Sequence, residues 1–584
     1  VYHYIDKKES KLKTITDNSL LGKVWVMCDD NDDSGIVKKV LKSRGIINPD
    51  DIQKFLNPSV RENMPDPSVL AGMDVATKIV ADAIINNEKI AIFGDYDVDG
   101  ITSTAILIKY LRALGADPVW HLPSRDGEGY GLNIDSVEKF ASDGVRILIT
   151  VDCGISSVAE VARARELGMK VVITDHHSPD KDLPDANAIV NPKQINDNSG
   201  LTYLAGVGVA FMFLVALNRE IKKSKPEIDI NLLEYLDLVA IGTICDTCPL
   251  VGLNRAFVVT GLKIIESKKN IGIAALMQIS GAKSASAYTI GFALGPRINA
   301  AGRLADPAPA LELLLTDNIG TAGVLAAELD RQNKSRKNIE SGIMMAALEI
   351  AEAHHKDGKF SLFLCGDNWH GGVMGIIAGR IKEKYNMPTC VATVQDGEIN
   401  GSGRSTESID LGAIIHEALA AGILTEGGGH AAAAGFSMPA NNANAFHEFL
   451  EKRVREITGN ENPKPKIIID ARIDAGGAGL DLCREMATLA PFGQANPEPT
   501  LCLYGCELAF ATTMGNGSHI RGAVRTSNGT NLNFVGFNMT TGPIGNFLLD
   551  ETNIGVKIMI AGRLTENEFN GRTTAQFMLE DIAV

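Results

Sequence analysis

No apolar run in the chain is long enough to cross a bilayer. The longest, Leu204 to Leu217, falls short of the roughly 20 residues a spanning helix needs and is interrupted by Gly206 and Gly208. It predicts a buried helix. The leading VYHYIDKKES is polar and charged, unlike the apolar core of a signal peptide. These features predict no membrane partner, and cysteines that read as reduced thiols point to the cytoplasm. Basic charge is not in excess: 56 Lys and Arg stand against 71 Asp and Glu, a net charge of −15. That argues against a surface coated in basic charge, although a local basic groove can still bind phosphates. Cysteines number nine and are scattered, mostly in apolar surroundings such as those of Cys153 and Cys390, as reduced buried thiols are. Cys245 and Cys248 form a CxxC, but no second CxxC or CxxH follows at zinc-finger spacing, which argues against a zinc or redox role. Aromatic residues make up only 5%, so base stacking as a binding mode is limited. No internal repeat and no long low-complexity segment is present.

What is present is 584 residues of ordinary globular composition, 45% apolar and 22% charged. At roughly 100–200 residues per domain, that length predicts about three to five domains. From about Lys89 to Pro192 short apolar runs (KIAIF, RILITV, KVVIT, AIVNP) alternate with helical stretches. Continuous apolar runs separated by helices imply a parallel sheet covered on both faces, an α/β fold that is doubly wound or close to it. A long helical span with a charged middle, DRQNKSRKNIE, reads as a connecting helix. A second α/β unit follows, with strands FSLFLC and TCVATV and the helix-like GVMGIIAGRIKEKY. After the linker NENPKPK come KIIIDARI, TLCLYGCELAF, NLNFVGFN, VKIMIAGRL and TAQFMLEDI, a run of short strands that fits an OB-type barrel. The expected boundaries are 1–70 for an N-terminal extension, 71–319 for the first α/β domain, 320–356 for the connecting helix, 357–460 for the second α/β domain and 466–584 for the barrel.

The chemistry concentrates at strand ends. Asp95, Asp97 and Asp99 follow the first strand, Asp152 the second, and Asp175, His176 and His177 the third. The helical LDLVAIGTICD adds Asp246. In a parallel sheet such positions line one edge, where ligands bind. Carboxylates crowded together repel, so either some protonate or cations neutralise them. Oxygen-rich ligands with one or two imidazoles suit Mn²⁺ or Mg²⁺, and a pair of ions about 3.5–4 Å apart would account for the surplus of ligands. DYDVDG is no EF-hand, because no glutamate stands at the twelfth loop position. DYDVDG alone fits a turn, and DHH alone a helix cap. Both at strand ends, with VDCG between them, point to one site.

GDYDVDG, TVDCG, TDHH and GTICD, in that order, resemble the DHH phosphoesterase superfamily. LGPRINAAGRL (294–304), GGGHAAAAGF (427–436), LAPFGQANPEP (489–499) and LTENEFNGR (564–572) are similar to the RecJ family of single-strand exonucleases. The resemblance runs from about Gly45 onward. It implies a DHH domain, a DHH-associated domain and an OB-fold, with metal ligands at Asp97, Asp99, Asp152, His176 and Asp246 and with Asp152 bridging two ions. It implies that Asp95 and His177 act in catalysis, Asp95 as a ligand or its support and His177 at the scissile phosphate or the leaving oxygen. Asp175 is expected to orient its neighbours. The pyrophosphatase branch carries a histidine where this chain has Phe93, and that departure favours the nuclease branch. The fourth motif also departs, reading CDTCPL where small or valine residues are expected around the aspartate.

For the substrate, Arg125 resembles a residue that meets a DNA 5′ end. Arg297 and Arg303 present guanidinium forks suited to phosphate, with an ordinary salt bridge as the alternative for each. Ser402, Arg404, Gly428, Gly429 and His430 are expected to cradle the strand, and His519, Arg521 and Arg525 to extend the track over the barrel. The implied function is metal-dependent 5′→3′ degradation of single-stranded DNA to 5′-mononucleotides in repair and recombination. A single-strand binding protein or a helicase is an implied partner. The expected cause of single-strand selectivity is a cleft between the α/β domains too narrow for a duplex. Two alternatives remain: a DHH-family oligoribonuclease or small-molecule phosphoesterase, and an inactive DNA-binding replication scaffold.

Overall fold

The computed structural model describes residues 12–28, 35–124, 127–304, 306–459, 461 and 463–584. Contacts divide it into two compact units. One gathers the chain up to Pro123, Tyr130–Gly295 and Lys464–Val584; the other comprises Ser124–Gly129 and Pro296–Pro463. The division at Gly295 falls ahead of the boundary at 319 expected from the sequence.

The first unit is built on a parallel sheet. Strands Ile90–Gly94 and Ile147–Val151 are buried at every residue, which is why they read as unbroken apolar runs. Lys170–Thr174 and Ala188–Val190 continue the sheet on one side, and Val119–His121 flanks Ile90–Gly94 on the other. That last strand was not expected, since it has only three half-buried residues. The register Gly94↔Val151↔Thr174 brings three strand ends level. In chain order the strands lie 2-1-3-4-5, so the order reverses between Ile90–Gly94 and Ile147–Val151. A crevice opens at such a reversal because the connections leave in opposite directions. Helix Val98–Ala113 packs with Gly206–Ser224 and Leu236–Cys245. Helices Ile134–Ser142 and Val158–Glu166 supply Val137, Phe140, Val161 and Ala164 to the core containing Ala91, Phe93, Leu148 and Val171. Leu204–Leu217 lies largely in the buried helix Gly206–Ser224.

In the C-terminal region Leu501–Met514, His519–Thr526, Asn531–Gly536, Arg572–Ala583 and Lys557–Phe569 pair in sequence, and Leu501–Met514 closes on Lys557–Phe569. KIIIDARI, read as a single barrel strand, is two. Ala471–Asp474 joins the barrel sheet, whereas Lys466–Ile469 pairs in parallel with Val24–Cys28 near the N-terminus. Asp470 makes the corner: its N–H donates to Thr500 O at 2.8 Å and its Oδ2 accepts from Thr500 N at 3.0 Å. Trp25, fully buried, donates from Nε1 to Asp581 Oδ2 at 3.0 Å.

The segment LAPFGQANPEP is where the barrel region meets the α/β domain. Arg255, from helix Gly252–Glu266, is 1% exposed. It donates to Phe55 O (2.8 Å), Leu489 O (3.0 Å), Ala490 O (2.7 Å) and Pro491 O (3.3 Å), and its guanidinium stacks 3.9 Å over the Phe55 ring. Asn496 Nδ2 donates to Leu489 O and Pro491 O, and Arg44 donates to Asn496 and Pro497 O. Burial, with Arg44 nearby, pushes the Arg255 guanidinium down to about 10. A buried cation is tolerable here because backbone carbonyls take its protons.

In the second unit, helix Ile319–Lys356 is 38 residues long and capped by Asn318, whose side chain accepts from Thr321 N. One face of its charged middle is packed, at Asp330, Asn333, Arg336 and Glu340, while Arg331, Lys334 and Lys337 stay exposed: Arg336 donates to Glu340 at 2.9 Å, and Arg380 from helix Gly371–Tyr385 reaches the same carboxylate at 2.5 Å. The mixed five-stranded sheet runs Glu426–His430, Ala433–Pro439, Glu398–Arg404, Thr389–Gln395, Leu362–Asp367. Among the described residues no helix is long and apolar enough to cross a membrane.

Arg255→Ala leaves four buried carbonyls without their donor. It is expected to destabilise the first unit by about 3–5 kcal/mol, read as an earlier unfolding midpoint in urea. Arg255→Lys, lacking the planar fork, should restore only part of this.

Candidate metal centre

The acidic and imidazole groups meet at the reversal point of the parallel sheet. Asp97 caps helix Val98–Ala113, its Oδ1 accepting from Asp99 N (2.9 Å) and Gly100 N (3.1 Å). Asp99, in the first turn, is held by the start of another helix: Oδ2 accepts from Gly206 N at 2.7 Å and Oδ1 from Val207 N at 2.8 Å. Asp152 ends its strand in the left-handed region, φ +59°, which turns its carboxylate across the sheet edge. Asp246 caps the C-terminal end of helix Leu236–Cys245.

His176 shows how such a site is tuned. Its Nδ1 lies 3.0 Å from Leu204 O and donates to it, so Nε2 carries the lone pair. Nε2 lies 3.2 Å from Asp152 Oδ1, 3.6 Å from Asp246 Oδ2 and 3.8 Å from Asp99 Oδ2. Yet Nε2, Asp152 Oδ1 and Asp95 Oδ1 are buried atoms with no hydrogen-bond partner. Buried polar atoms left in this way are costly unless something else satisfies them.

Charge repeats the point. Burial pushes the carboxyls of Asp95, Asp97, Asp99 and Asp152 up, and neighbouring carboxylates push them further: Asp97 acts on Asp95, Asp246 on Asp97 and Asp99, and Asp99 on Asp152. Burial pushes His176 down, keeping its imidazole neutral as ligation requires. Asp175 behaves differently. It accepts from His176 N (2.6 Å), His177 N (3.0 Å) and Ile155 N (3.0 Å), and it pairs with His177 Nδ1 at 2.8 Å. Burial alone would raise it, but these donors bring it below the usual carboxylate range. His177 is its counterpart. Burial opposes protonation there, yet the Asp175 hydrogen bond outweighs it and the imidazole is pushed up. Asp175 therefore orients and charges His177 without itself being available.

In the second unit, Arg404↔Ala433↔His430 and Ser402↔Gly435↔Gly428 are aligned across three strands, so Ser402, Arg404, Gly428 and His430 share one sheet face. Gly429 alternates with them at Gly403↔Ala434. Space above Gly428 is open. Arg404 Nη1 donates to Ser402 Oγ at 3.2 Å. Arg303 Nη1 donates to Gly372 O at the start of helix Gly371–Tyr385, at 2.9 Å. Arg297 pairs with Asp330 at 2.8 Å, the salt bridge that was its alternative reading. Arg125 lies outside the described residues.

The comparisons with known proteins follow the same layout. Family models match residues 89–243 (DHH family, N-terminal domain), 357–456 (DHHA1 domain) and 469–581 (RecJ OB domain). The single-stranded-DNA-specific exonuclease RecJ of Salmonella typhimurium is 35% identical over 94% of this chain and 95% of its own. The chain belongs to the RecJ family. The Escherichia coli member is 34% identical over 94% of this chain and 95% of its own. The crystal structure of RecJ from Thermus thermophilus in complex with Mn²⁺ matches with a TM-score of 0.78 at 30% identity, covering 94% of this chain and 75% of that one. Its complex with Mg²⁺ matches at 0.72 and 28%, covering 94% and 74%.

The residues fit the divalent ions that those RecJ structures hold. Asp95, Asp97 and Asp152 bring ligand atoms within 4.8 Å of one another, as do Asp152, His176 and His177. Asp152 is common to both sets, which suits a bridging role, and the unpartnered atoms belong to these same groups. The geometry places Asp95 beside Asp97 and Asp152 rather than apart from them. Asp99 has both oxygens engaged by amides.

Sequence reasoning missed several contributors. Tyr130 OH lies 3.1 Å from His177 Nδ1, and only its place five residues beyond Arg125 in HLPSRDGEGYGL hinted at it. A Cβ on Gly206 would sit 2.4 Å from Asp152 Oδ1, and one on Gly242 would sit 2.9 Å from Asp99 Oδ1. Both glycines looked like ordinary members of apolar helices.

Gly206→Ala is therefore expected to weaken Mn²⁺ binding roughly 10–100-fold, measured by titration against free Mn²⁺. A second expectation concerns pH. Acids raised in the native state hold more protons there than when unfolded, so stability falls as pH rises through their native pKa values. Asp95, Asp97, Asp99 and Asp152 act in this sense, as does the raised His177; Asp175 and His176 oppose it. In chelator, the melting temperature should drop on moving from the ordinary carboxylate range towards neutrality. Saturating Mn²⁺ should flatten that drop.

Proposed function

We propose that the chain is a metal-dependent exonuclease that removes nucleotides from the 5′ end of single-stranded DNA, releasing 5′-mononucleotides. The observation that carries this reading is the set of unpartnered buried atoms of Asp95, Asp152 and His176 at the sheet reversal. The substrate is that of the RecJ relatives, which are single-stranded-DNA-specific exonucleases. In the cell the enzyme acts in the cytoplasm, in repair and recombination, on strands exposed by a helicase or held by a single-strand binding protein.

Asp95, Asp97, Asp99, Asp152, His176 and Asp246 would hold the two Mn²⁺ or Mg²⁺ ions. Such ions, when bound, supply the Lewis acidity that activates a water and neutralises charge building on the phosphate. The bond cleaved joins phosphorus to the 3′ oxygen of the terminal nucleotide, so that oxygen needs a proton as it leaves. His177, half-exposed and pushed towards its protonated form by the Asp175 hydrogen bond, donates it. Arg125 meets the 5′-phosphate. Arg303, Ser402, Arg404, Gly428, Gly429 and His430 hold the strand that follows, with Arg297 steadying their unit through Asp330.

Digestion of 5′- and 3′-labelled oligonucleotides, single- and double-stranded, tests the reading. Labelled mononucleotide should appear first from the 5′-labelled single strand; equal release from both ends, or faster hydrolysis of dinucleotides than of long strands, overturns it. Asp152→Asn should slow hydrolysis by at least roughly 100-fold while single-strand binding, followed by fluorescence anisotropy, persists.

A further inference from the structure

One side of the centre carries a sulfur that the proposed reaction does not use. Cys248 is 8% exposed, and its Sγ lies 3.0 Å from Asp246 Oδ2, to which the thiol donates. His176, Asp246 and Cys248 bring ligand atoms within 4.8 Å of one another, a third such set beside the two containing Asp152. His176 is 94% buried by its 6% exposure, and its Nε2, 3.6 Å from Asp246 Oδ2, has no hydrogen-bond partner. An unpartnered imidazole nitrogen, a carboxylate and a thiol converging from two segments form a mixed nitrogen, oxygen and sulfur donor set. Sets of this kind prefer Zn²⁺ and other thiophilic cations over Mn²⁺ and Mg²⁺.

We propose that Cys248 turns one side of this centre into a site for thiophilic divalent cations, Zn²⁺ foremost, held by His176 Nε2, Asp246 and the Cys248 sulfur. The proposal rests on the reading of the centre as metal-binding. As the metal–sulfur bond forms, the thiol proton passes to solvent. His176 and Asp246 are then unavailable to Mn²⁺, so Zn²⁺ at this position competes with the working ion. The cation specificity of the chain is thus set partly by a residue lying two positions beyond Asp246, where a hydrocarbon side chain would remove the one soft donor and leave an imidazole and a carboxylate.

The test uses the full chain stripped of metal. Mn²⁺ binding, followed by electron paramagnetic resonance, is measured first. Co²⁺ is then titrated and the near-ultraviolet sulfur-to-cobalt charge-transfer band recorded for wild type, Cys248→Val, Cys248→Ser and Cys245→Ser. The proposal expects the band in wild type and Cys245→Ser and its loss in both Cys248 variants; the serine variant decides if the valine one fails to fold. It also expects Zn²⁺ to displace Mn²⁺ from wild type at concentrations roughly 10–100-fold lower than from Cys248→Val. Mn²⁺ binding without a band in wild type, a band that survives loss of Cys248, or equal displacement overturns the thiolate site and leaves the metal centre standing. Failure of wild type to bind Mn²⁺ overturns both.

Discussion

Mutual repulsion among buried carboxylates governs the first unit. Two unit charges 4 Å apart at an effective dielectric of 20 interact by about 4 kcal/mol. Asp95, Asp97, Asp99 and Asp152 are all nearly or fully buried, or cap a buried helix, within one crevice. Several such pairs rival the roughly 5–15 kcal/mol that keeps a whole protein folded. The fold meets this in two ways. Helix starts and backbone amides take part of the charge, as Gly206 and Val207 do for Asp99. The remainder is left facing inward, where only protons or cations can satisfy it.

Much of this was legible beforehand because the strands are unbroken apolar runs and the chemistry sits one or two residues past their ends. The order of motifs then tied Asp97, Asp152, His176 and Asp246 to one edge. What escaped has a physical reason in each case. Val119–His121 is too short and too mixed to show a period. Lys466–Ile469 has the alternation of a barrel strand, but its partner Val24–Cys28 lies at the other end of the sequence. Arg255 gave no sign, because its acceptors are backbone carbonyls and carbonyls have no letter. Arg297 and Arg404 look alike as sequence; the presence of Asp330 one helix away separates them.

The second unit solves a different problem. A phosphodiester chain brings bulk as well as charge, and the strands around Ser402, Gly428 and Gly435 offer low relief on the face that carries Arg404 and His430. Apolar contacts lie on the opposite face, where Leu411 and Ile415 of helix Leu411–Ala420 fill the space under Gly403 and Gly427. Helix Gly371–Tyr385 also packs on the Ser402 and Arg404 side, where a Cβ on Gly375 would sit 2.9 Å from Arg404 Nη2; the open part of that face is at Gly428, and the sparse aromatic content leaves backbone and guanidinium groups as the main means of grip.

The hydrogen bond from Trp25 to Asp581 spans 556 positions. At roughly 5–20 residues per second, a ribosome needs about half a minute to two minutes to deliver the second partner after the first. For most of that interval the edge of Val24–Cys28 that will receive Lys466–Ile469 has nothing to pair with, and three of the four carbonyl acceptors of Arg255, those of Leu489, Ala490 and Pro491, do not yet exist. Pro296–Pro463, by contrast, emerges as one stretch and can gather its own core early. Synthesis thus runs in an order opposite to completion: the stretch made first is sealed last, and nascent chains stalled beyond the middle carry an open strand edge that chaperones must guard.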